Sequence, residues 1–332
     1  MRMIDFVIAL GDLMMPRACL ACGRRLGMRE RHLCLSCAAD VPYTRFWMAA
    51  HNPLADRFNA VLERHRGTEP MDYAYAAALL YYKGAYRSIP RALKYQGDLA
   101  AGRHYGALLG RRLAAAPHFA DIDLVIPVPL HWTRLRSRGY NQAEILARAL
   151  VDAFRSALAP GASQGRGPEV RTDLLVRARR TRTQTRVSVD QKAQNVASAF
   201  QVPERFSPRA RIISRLSHII SFRSPRWPIK VGHDEGEPSE QDDTRHFRPD
   251  RESPAQVLAS ARHILLVDDT FTTGATLYAC YAALRPFTTA RISIATLAAV
   301  EGTPSLEGPP SGTGGVPSSP GDVPASTPSS GP

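Results

Sequence analysis

The sequence predicts an α/β fold: a largely parallel sheet with flanking helices. Two patterns predict it. Short β-branched apolar runs, at 122–128 and 263–267, alternate with helical segments. Between them, apolar residues recur with the 3.6-residue period of a helix packed on one side. This is clearest over 142–158, where Ile145, Leu146, Ala149, Leu150, Ala153, Phe154 and Leu158 fall on one face.

The elements follow in order. Residues 3–15 read as a short amphipathic helix. The apolar run 6–10 lies between Asp5 and Asp12, too short and too charged for a signal peptide. No stretch approaches the roughly 20 apolar residues of a membrane span. Residues 1–49 hold this helix and a cysteine unit, and 50–71 form a connector with one or two helical turns. The α/β domain spans 72–300. Its first run, Tyr73 to Tyr82, reads as strands of a hairpin ending at Lys83 and Gly84. Helices follow at 89–93 and 99–113, then the strand 122–128, an Arg-rich loop and the helix 142–158, stopped by Pro160 and Gly161. Residues 193–202 return toward the sheet. The strand 263–267, the helix 274–284 and a strand at 291–298 complete it. Two stretches break the pattern. Residues 204–257 carry scattered Pro and an acidic patch, and read as an insertion or lid. Residues 301–332, mostly Gly, Pro, Ser and Thr, cannot bury a core and read as a disordered tail.

The formal charge is +13 over 332 residues. Such a balance favours polyanions, whether nucleic acid or phosphorylated small molecules, without choosing between them. Four of the five Cys form two C-x-x-C pairs, Cys19/Cys22 and Cys34/Cys37, eleven residues apart. That spacing suits a tetrahedral S₄ site for one structural Zn²⁺, which would stabilise a unit too small for its own core. An iron–sulfur cluster or a redox pair is the alternative. His32 is a rival ligand, but four Cys already fill the site. Arg17, Arg24, Arg25 and Arg31 offset the charge of a metal thiolate centre. Cys280 lies in an apolar helical pattern and reads as core. This cysteine usage suits a reducing, cytoplasmic compartment.

The most informative stretch is 265–276, LLVDDTFTTGAT. A buried strand delivers Asp268 and Asp269 to the carboxyl edge of the sheet, where open α/β folds bind ligands. Thr270, Thr272, Thr273, Gly274, Ala275 and Thr276 then lead into a helix, whose first N–H groups and dipole favour an anion. Gly274 lets the backbone approach a phosphate closely. The carboxylates suit ribose hydroxyls and a Mg²⁺ shared with a pyrophosphate.

This string resembles the signature of type I phosphoribosyltransferases. The whole chain resembles the competence protein F (ComF) family, which joins a four-cysteine zinc ribbon to a phosphoribosyltransferase domain. The matching pieces are the two C-x-x-C pairs, LKYQGD at 93–98, IPVPL at 126–130, RLRSRGYNQAEILA at 134–147, RTRTQ at 180–184, NVASAF at 195–200 and VDDTFTTGAT at 267–276. The resemblance implies a type I phosphoribosyltransferase-like sheet after a small zinc ribbon. It makes the segment after Pro127, Val128 and Pro129 the pyrophosphate side. There Arg134, Arg136 and Arg138 bring three guanidinium groups together, with Arg138 and Asn141 near the ligand and Asn141 also capping the next helix. Lys94 is a further candidate phosphate contact. The loop 171–192 is placed over the reacting centre, with Arg177, Thr183 and Gln184 matching. Lys192 stands where the family has Arg, which loses bidentate geometry.

The implied ligand is phosphoribosyl pyrophosphate or a related nucleotide, with Mg²⁺. The implied role is in DNA uptake and natural transformation, handling incoming single-stranded DNA, with competence or recombination proteins as partners. A catalytically active phosphoribosyltransferase of nucleotide metabolism or salvage is the alternative. No residue stands out in the sequence as its general base.

Overall fold

The computed structural model describes residues 17–65, 72–158, 167–178, 199–204 and 252–302. The expectations for 3–15, for Thr183, Gln184 and Lys192, and for most of 204–257 and of the tail lie outside the described residues. The first elements among the described residues are α1 (Leu35–Ala39) and α2 (Pro53–Arg64), followed by β1 (Ala76–Tyr81). Helix α3 (Ser88–Arg91) runs into a π turn (Ala92–Gln96), and α4 (Leu99–Ala114) leads to β2 (Leu124–Pro127). Next come α5 (Trp132–Arg138), α6 (Gln142–Ala157), and the short strands β3 (Glu169–Val170), β4 (Val176–Arg177) and β5 (Phe200–Gln201). The last elements are α7 (Pro254–Ser260), β6 (His263–Phe271), α8 (Ala275–Leu284) and β7 (Arg291–Ala299).

Five strands form one sheet in the order β1-β7-β6-β2-β3, every pairing parallel. This is the α/β sheet the alternation predicted. Side chains alternate across it. Ala76, Ala78, Leu124, Ile126, Ile264, Leu266, Ile292 and Ile294 face a core that contains Leu54, Phe58 and Leu62 of α2 and Leu277, Cys280 and Leu284 of α8. Ala77, Leu79, Val125, Leu265, Val267, Ala295 and Leu297 face the other core, filled by α4 and α6. Both sheet faces are covered, so the strands read as continuous apolar runs.

Helices α4 and α6 pack closely because α4 carries Gly102, Gly106 and Gly110 at four-residue spacing. A Cβ added at Gly106 would lie 2.8 Å from the Leu146 carbonyl oxygen, and one at Gly110 only 2.1 Å from that of Leu150. The backbones touch where the glycines are. Apolar periodicity did not reveal this stripe, because glycine adds nothing to it.

Four expectations change. The run Tyr73 to Tyr82 holds one strand, Ala76–Tyr81, and not a hairpin; it lies parallel to β7, and Ala76 to Ala78 are fully buried. Its free edge is covered by Tyr43, which bridges Leu80, and by Pro42, whose carbonyl accepts the Tyr81 N–H at 2.8 Å. The connector holds a twelve-residue helix rather than one or two turns. Asn52 caps it and Pro53 opens it, with Leu54, Ala55, Phe58 and Leu62 buried. The Arg-rich segment after β2 is the helix α5 rather than a loop, started by His131, whose side chain accepts the Thr133 N–H. Finally, the end of the segment 204–257 is ordered: Ser253 and Gln256 form a capping box, and α7 buries Leu258.

At the amino edge of the sheet a polar relay runs from the exposed Asp121 side chain into the interior. His263 Nδ1 meets Asp121 Oδ1 at 2.6 Å, its Nε2 meets Ser293 Oγ at 2.8 Å, and the Tyr75 N–H donates to Ser293 Oγ at 3.2 Å. A carboxylate only accepts, so Nδ1 carries the proton and Ser293 donates to Nε2. His263 and Ser293 are both fully buried. The relay stitches β6, β7 and the chain before β1.

Candidate functional site

The carboxyl edge of the sheet gathers the predicted ligand residues. Strand β6 runs four residues beyond the expected Val267, to Phe271, pairing Asp268 with Thr296, Thr270 with Ala298 and Phe271 with Ala299. On its other side β2 ends at Pro127, and the Val128 N–H donates to the Val267 carbonyl at 2.9 Å. From β2 the chain continues outward to β3, and from β6 it continues to β7 on the opposite side. The boundary between β2 and β6 is therefore the topological switch point, where open α/β sheets form a crevice for ligands. Pro129 and α5 lie beyond the end of β2, and the acidic pair lies within the last residues of β6, before its turn.

Strand alternation sends the two carboxylates to opposite sides of β6. Asp269 faces the α4–α6 side and pairs with Lys94, Nζ to Oδ2 at 3.2 Å. Asp268 faces the other side, where its charge acts on Arg177 and Cys280. Burial, then the Asp269 carboxylate, push the Asp268 carboxyl well above the usual range. Burial opposes the Lys94 ammonium, but Asp269 and Asp268 outweigh it and raise its pKa. Burial lowers that of Arg177, with the like charge of Arg134 acting in the same direction. Arg134, Arg177, Lys94 and the two Asp thus belong to one electrostatic cluster.

After β6 the chain turns at Thr272, Thr273 and Gly274. Gly274 adopts φ +81°, and a Cβ there would meet the Phe271 ring at 3.0 Å, so this position needs glycine twice over. Helix α8 starts at Ala275, with Thr273 Oγ1 accepting the Ala275 N–H at 3.5 Å. Thr272 and Thr273 are exposed and Thr276 is half-buried beside the free helix start. The turn is braced by Arg57 of α2. Its guanidinium donates to the carbonyls of Thr272 (2.8 Å) and Val300 (2.7 Å) and lies 5.2 Å from the centre of the Phe271 ring. Arg57 had no signal in the sequence, because its partners lie more than 200 positions away.

The basic side is arranged differently from expectation. On helix α5, Arg134 and Arg138 are four residues apart and share a face, whereas Arg136 points elsewhere. The three guanidinium groups therefore do not converge. Arg138 donates to Gln142 Oε1 and lies 5.9 Å from the centre of the exposed Tyr95 ring. Asn141 caps α6 as expected: its Oδ1 accepts the Ala143 N–H at 3.1 Å and its Nδ2 donates to the Val128 carbonyl at 3.1 Å. The amide is spent on joining α6 to the end of β2, so its contribution to a ligand is positional. Gln184 lies outside the described residues. Tyr95, 73 % exposed, and Trp132, 61 % exposed, also stand near this edge, and only the structure sets them apart from core aromatics such as Trp47.

The four cysteines converge. Their sulfurs all lie within 4.8 Å of one another, with Cys22 and Cys34 at 3.8 Å. The first pair sits in a knuckle where Ala18 bridges Arg25 and Gly23 takes φ +73°. The second is not a β-knuckle: Cys34 precedes α1 and Cys37 lies in its first turn. The Cys19 thiol is opposed by burial yet lowered to about 6, because the N–H groups of Cys22, Cys34 and Ala21 point at it. Cys37, crowded first by the Cys34 sulfur, is pushed up to about 12. Four soft donors competing for protons around one point fit a tetrahedral metal, and could hold one zinc ion. His32 is not among them; it packs against His104 with ring centres 4.9 Å apart. Cys280 is fully buried, as its helical pattern predicted.

No protein-family sequence model matches the chain, and no curated protein matches it. Among the described residues no helix is long and apolar enough to cross a membrane.

Proposed function

We propose that this chain is a ComF-like protein whose carboxyl-edge site binds phosphoribosyl pyrophosphate with Mg²⁺, and that it acts in DNA uptake and natural transformation by handling single-stranded DNA in the cytoplasm. The observation that carries the ligand assignment is the acidic pair followed by a Thr-Thr-Gly turn at the switch point, with Lys94, Arg134 and Arg177 around it. Carboxylates accept from the 2′- and 3′-hydroxyls of a ribose. The turn and the start of α8 offer N–H groups and Thr hydroxyls to its 5-phosphate. The cations suit a pyrophosphate, and bound Mg²⁺ would supply charge neutralisation of that group. The buried Asp269 Oδ2, which already faces the Lys94 ammonium at 3.2 Å, fits such a cation.

Calorimetric titration with phosphoribosyl pyrophosphate and Mg²⁺ tests the site. The parent protein is expected to bind, and Asp268→Asn combined with Asp269→Asn to abolish binding. Equal binding by the double variant sinks the assignment. The role with single-stranded DNA is supported by exposed Tyr95, 5.9 Å from Arg138, and exposed Trp132 in the helix that carries Arg134 and Arg138, because unpaired bases stack on aromatics within a basic setting. Its affinity is expected to fall steeply with salt. A salt-independent midpoint removes that part of the reading.

The second reading is a phosphoribosyltransferase of nucleotide metabolism or salvage. It is favoured by the cations at the pyrophosphate side, which would stabilise a leaving group in displacement at C1 of the ribose. Release of pyrophosphate in the presence of a free base or amine, at a rate that Asp269→Asn removes, would establish it. The four-cysteine cluster is assigned one structural Zn²⁺, and about one equivalent per folded chain is expected by elemental analysis.

A further inference from the structure

Lys94 does more at this site than add positive charge. Its ammonium lies 3.2 Å from the buried Asp269 Oδ2, which has no other partner among the described residues. Asp269 as a whole is 4 % exposed. A buried carboxylate oxygen whose one partner is a single ammonium keeps a lone pair to offer another cation or donor. Asp268 stands next to it in the chain, so without a cation two carboxylates would repel each other at the end of a buried strand. Lys94 supplies that cation. It does so from a π turn closed by left-handed Gly97 at φ +70°, a local departure from α geometry of the kind that recurs at functional positions. Its side chain stays 32 % exposed, so it has solvent to move into.

We infer that Lys94 is a specificity-determining residue that occupies the cation position beside Asp269 and yields it only to a phosphorylated polyol arriving with a divalent cation. This rests on the ribose-phosphate reading above and deepens it. A bare divalent cation that displaced Lys94 would leave a half-buried ammonium without an anion. A bare pentose would bring hydroxyls but nothing to hold the released ammonium. A ligand carrying both a vicinal diol and a phosphate satisfies both sides of the exchange: cation and hydroxyls meet the carboxylates, and Lys94 meets a phosphate oxygen. The residue thereby makes recognition of the diol conditional on recognition of the phosphate.

The test uses the full, zinc-loaded chain and Mn²⁺ as the probe, followed by its electron paramagnetic resonance signal. Mn²⁺ prefers oxygen donors, so the thiolate cluster does not mask the readout. The parent should bind Mn²⁺ alone weakly, and ribose 5-phosphate should strengthen that binding. Lys94→Met should bind Mn²⁺ alone about tenfold more tightly and ribose 5-phosphate about tenfold more weakly. Lys94→Arg, which keeps the charge, should retain the weak Mn²⁺ binding of the parent. Adding Asp269→Asn to Lys94→Met should remove the gain. Lys94→Gln gives the same comparison if the Met variant does not fold. Mn²⁺ affinity unchanged or weakened on loss of the charge overturns the role of Lys94. Failure of the parent to bind ribose 5-phosphate overturns the ribose-phosphate reading instead, and the two failures are read in separate titrations.

Discussion

His263 shows how a residue suggestive of catalysis serves the fold. It is held between Asp121 and Ser293 at 2.6 and 2.8 Å, an arrangement that in an open cleft would activate a hydroxyl. Here both His263 and Ser293 are fully buried. The groups facing the imidazole are Asp121, Asp123, Arg291 and His118. Burial, the largest influence, lowers its pKa, and Asp121 offsets this only in part. The folded protein therefore holds His263 neutral at a pH where the unfolded chain is already protonated. The stabilisation is complete above the unfolded value of about 6.5 and is lost as pH falls through it toward the lower folded value. Urea midpoints should drop between about pH 7.5 and about pH 5.5, and His263→Gln should flatten that drop. A midpoint that rises on acidification would contradict the buried neutral imidazole. At the opposite edge Arg57 braces the turn before α8 with two carbonyl bonds. Arg57→Ala should cost roughly 1–3 kcal/mol in chemical denaturation. It should also weaken ligand binding, because the turn carries Thr272 and Thr273.

At the scale of elements, the contact between α4 and α6 depends on having no side chain at three positions. Gly110→Ala puts a methyl carbon 2.1 Å from the Leu150 carbonyl oxygen, so the helices must move apart. A destabilisation of about 1–3 kcal/mol or more is expected by thermal or urea unfolding. Gly139→Ala serves as a comparison: nothing crowds the added methyl, and only the φ of +82° resists it. If Gly110→Ala costs less than Gly139→Ala, the close approach of the two helices is wrong. Asn141 couples α6 to the end of β2 through both ends of its amide. Losing that cap should cost about 1 kcal/mol, with Asn141→Asp, which can cap but not donate to Val128, losing less than Asn141→Ala. These elements position the ligand edge: α6 fixes where β2 stops, and α2 fixes where β6 turns.

At the scale of the molecule, the sheet and the cysteine cluster draw on different sources of stability. The sheet is buried on both faces by two apolar cores. Among the described residues the cysteine unit has a small core of Cys19, Leu26 and Cys34, with Ala21, Leu33 and Cys37 against it. A metal bound there would supply folding free energy that so small a core cannot. A strong chelator should therefore expose residues 17–40 to protease while leaving the far-ultraviolet signature of the α/β body in place. Cooperative loss of both would show that the sheet depends on the metal as well. The cluster also adjoins the body: Tyr86 donates its hydroxyl to the Cys37 carbonyl at 2.9 Å, so a modest fall in the thermal midpoint is expected on chelation.

The sequence alone determined what local pattern and chemistry can encode. Alternating strands and helices implied the parallel α/β sheet. Two C-x-x-C pairs implied one tetrahedral thiolate centre, and an acidic pair before Thr-Thr-Gly implied a ligand turn at a strand end. Local caps were also legible, because Asn141 needs only neighbours a few positions away. Tertiary structure decided what depends on distant partners. It made one strand, Ala76–Tyr81, of the run from Tyr73 to Tyr82 and set it beside β7, since a run buried on both faces carries no sign of its pairing. It turned the Arg-rich segment into a helix that parts Arg136 from Arg134 and Arg138. It set Lys94 against Asp269, from the far end of the domain's sequence, and placed Arg57 beneath the turn. The physical reason is the range of the interactions: propensity, capping and metal-ligand spacing act over a few residues. Which charges share a site depends on how the sheet orders its strands.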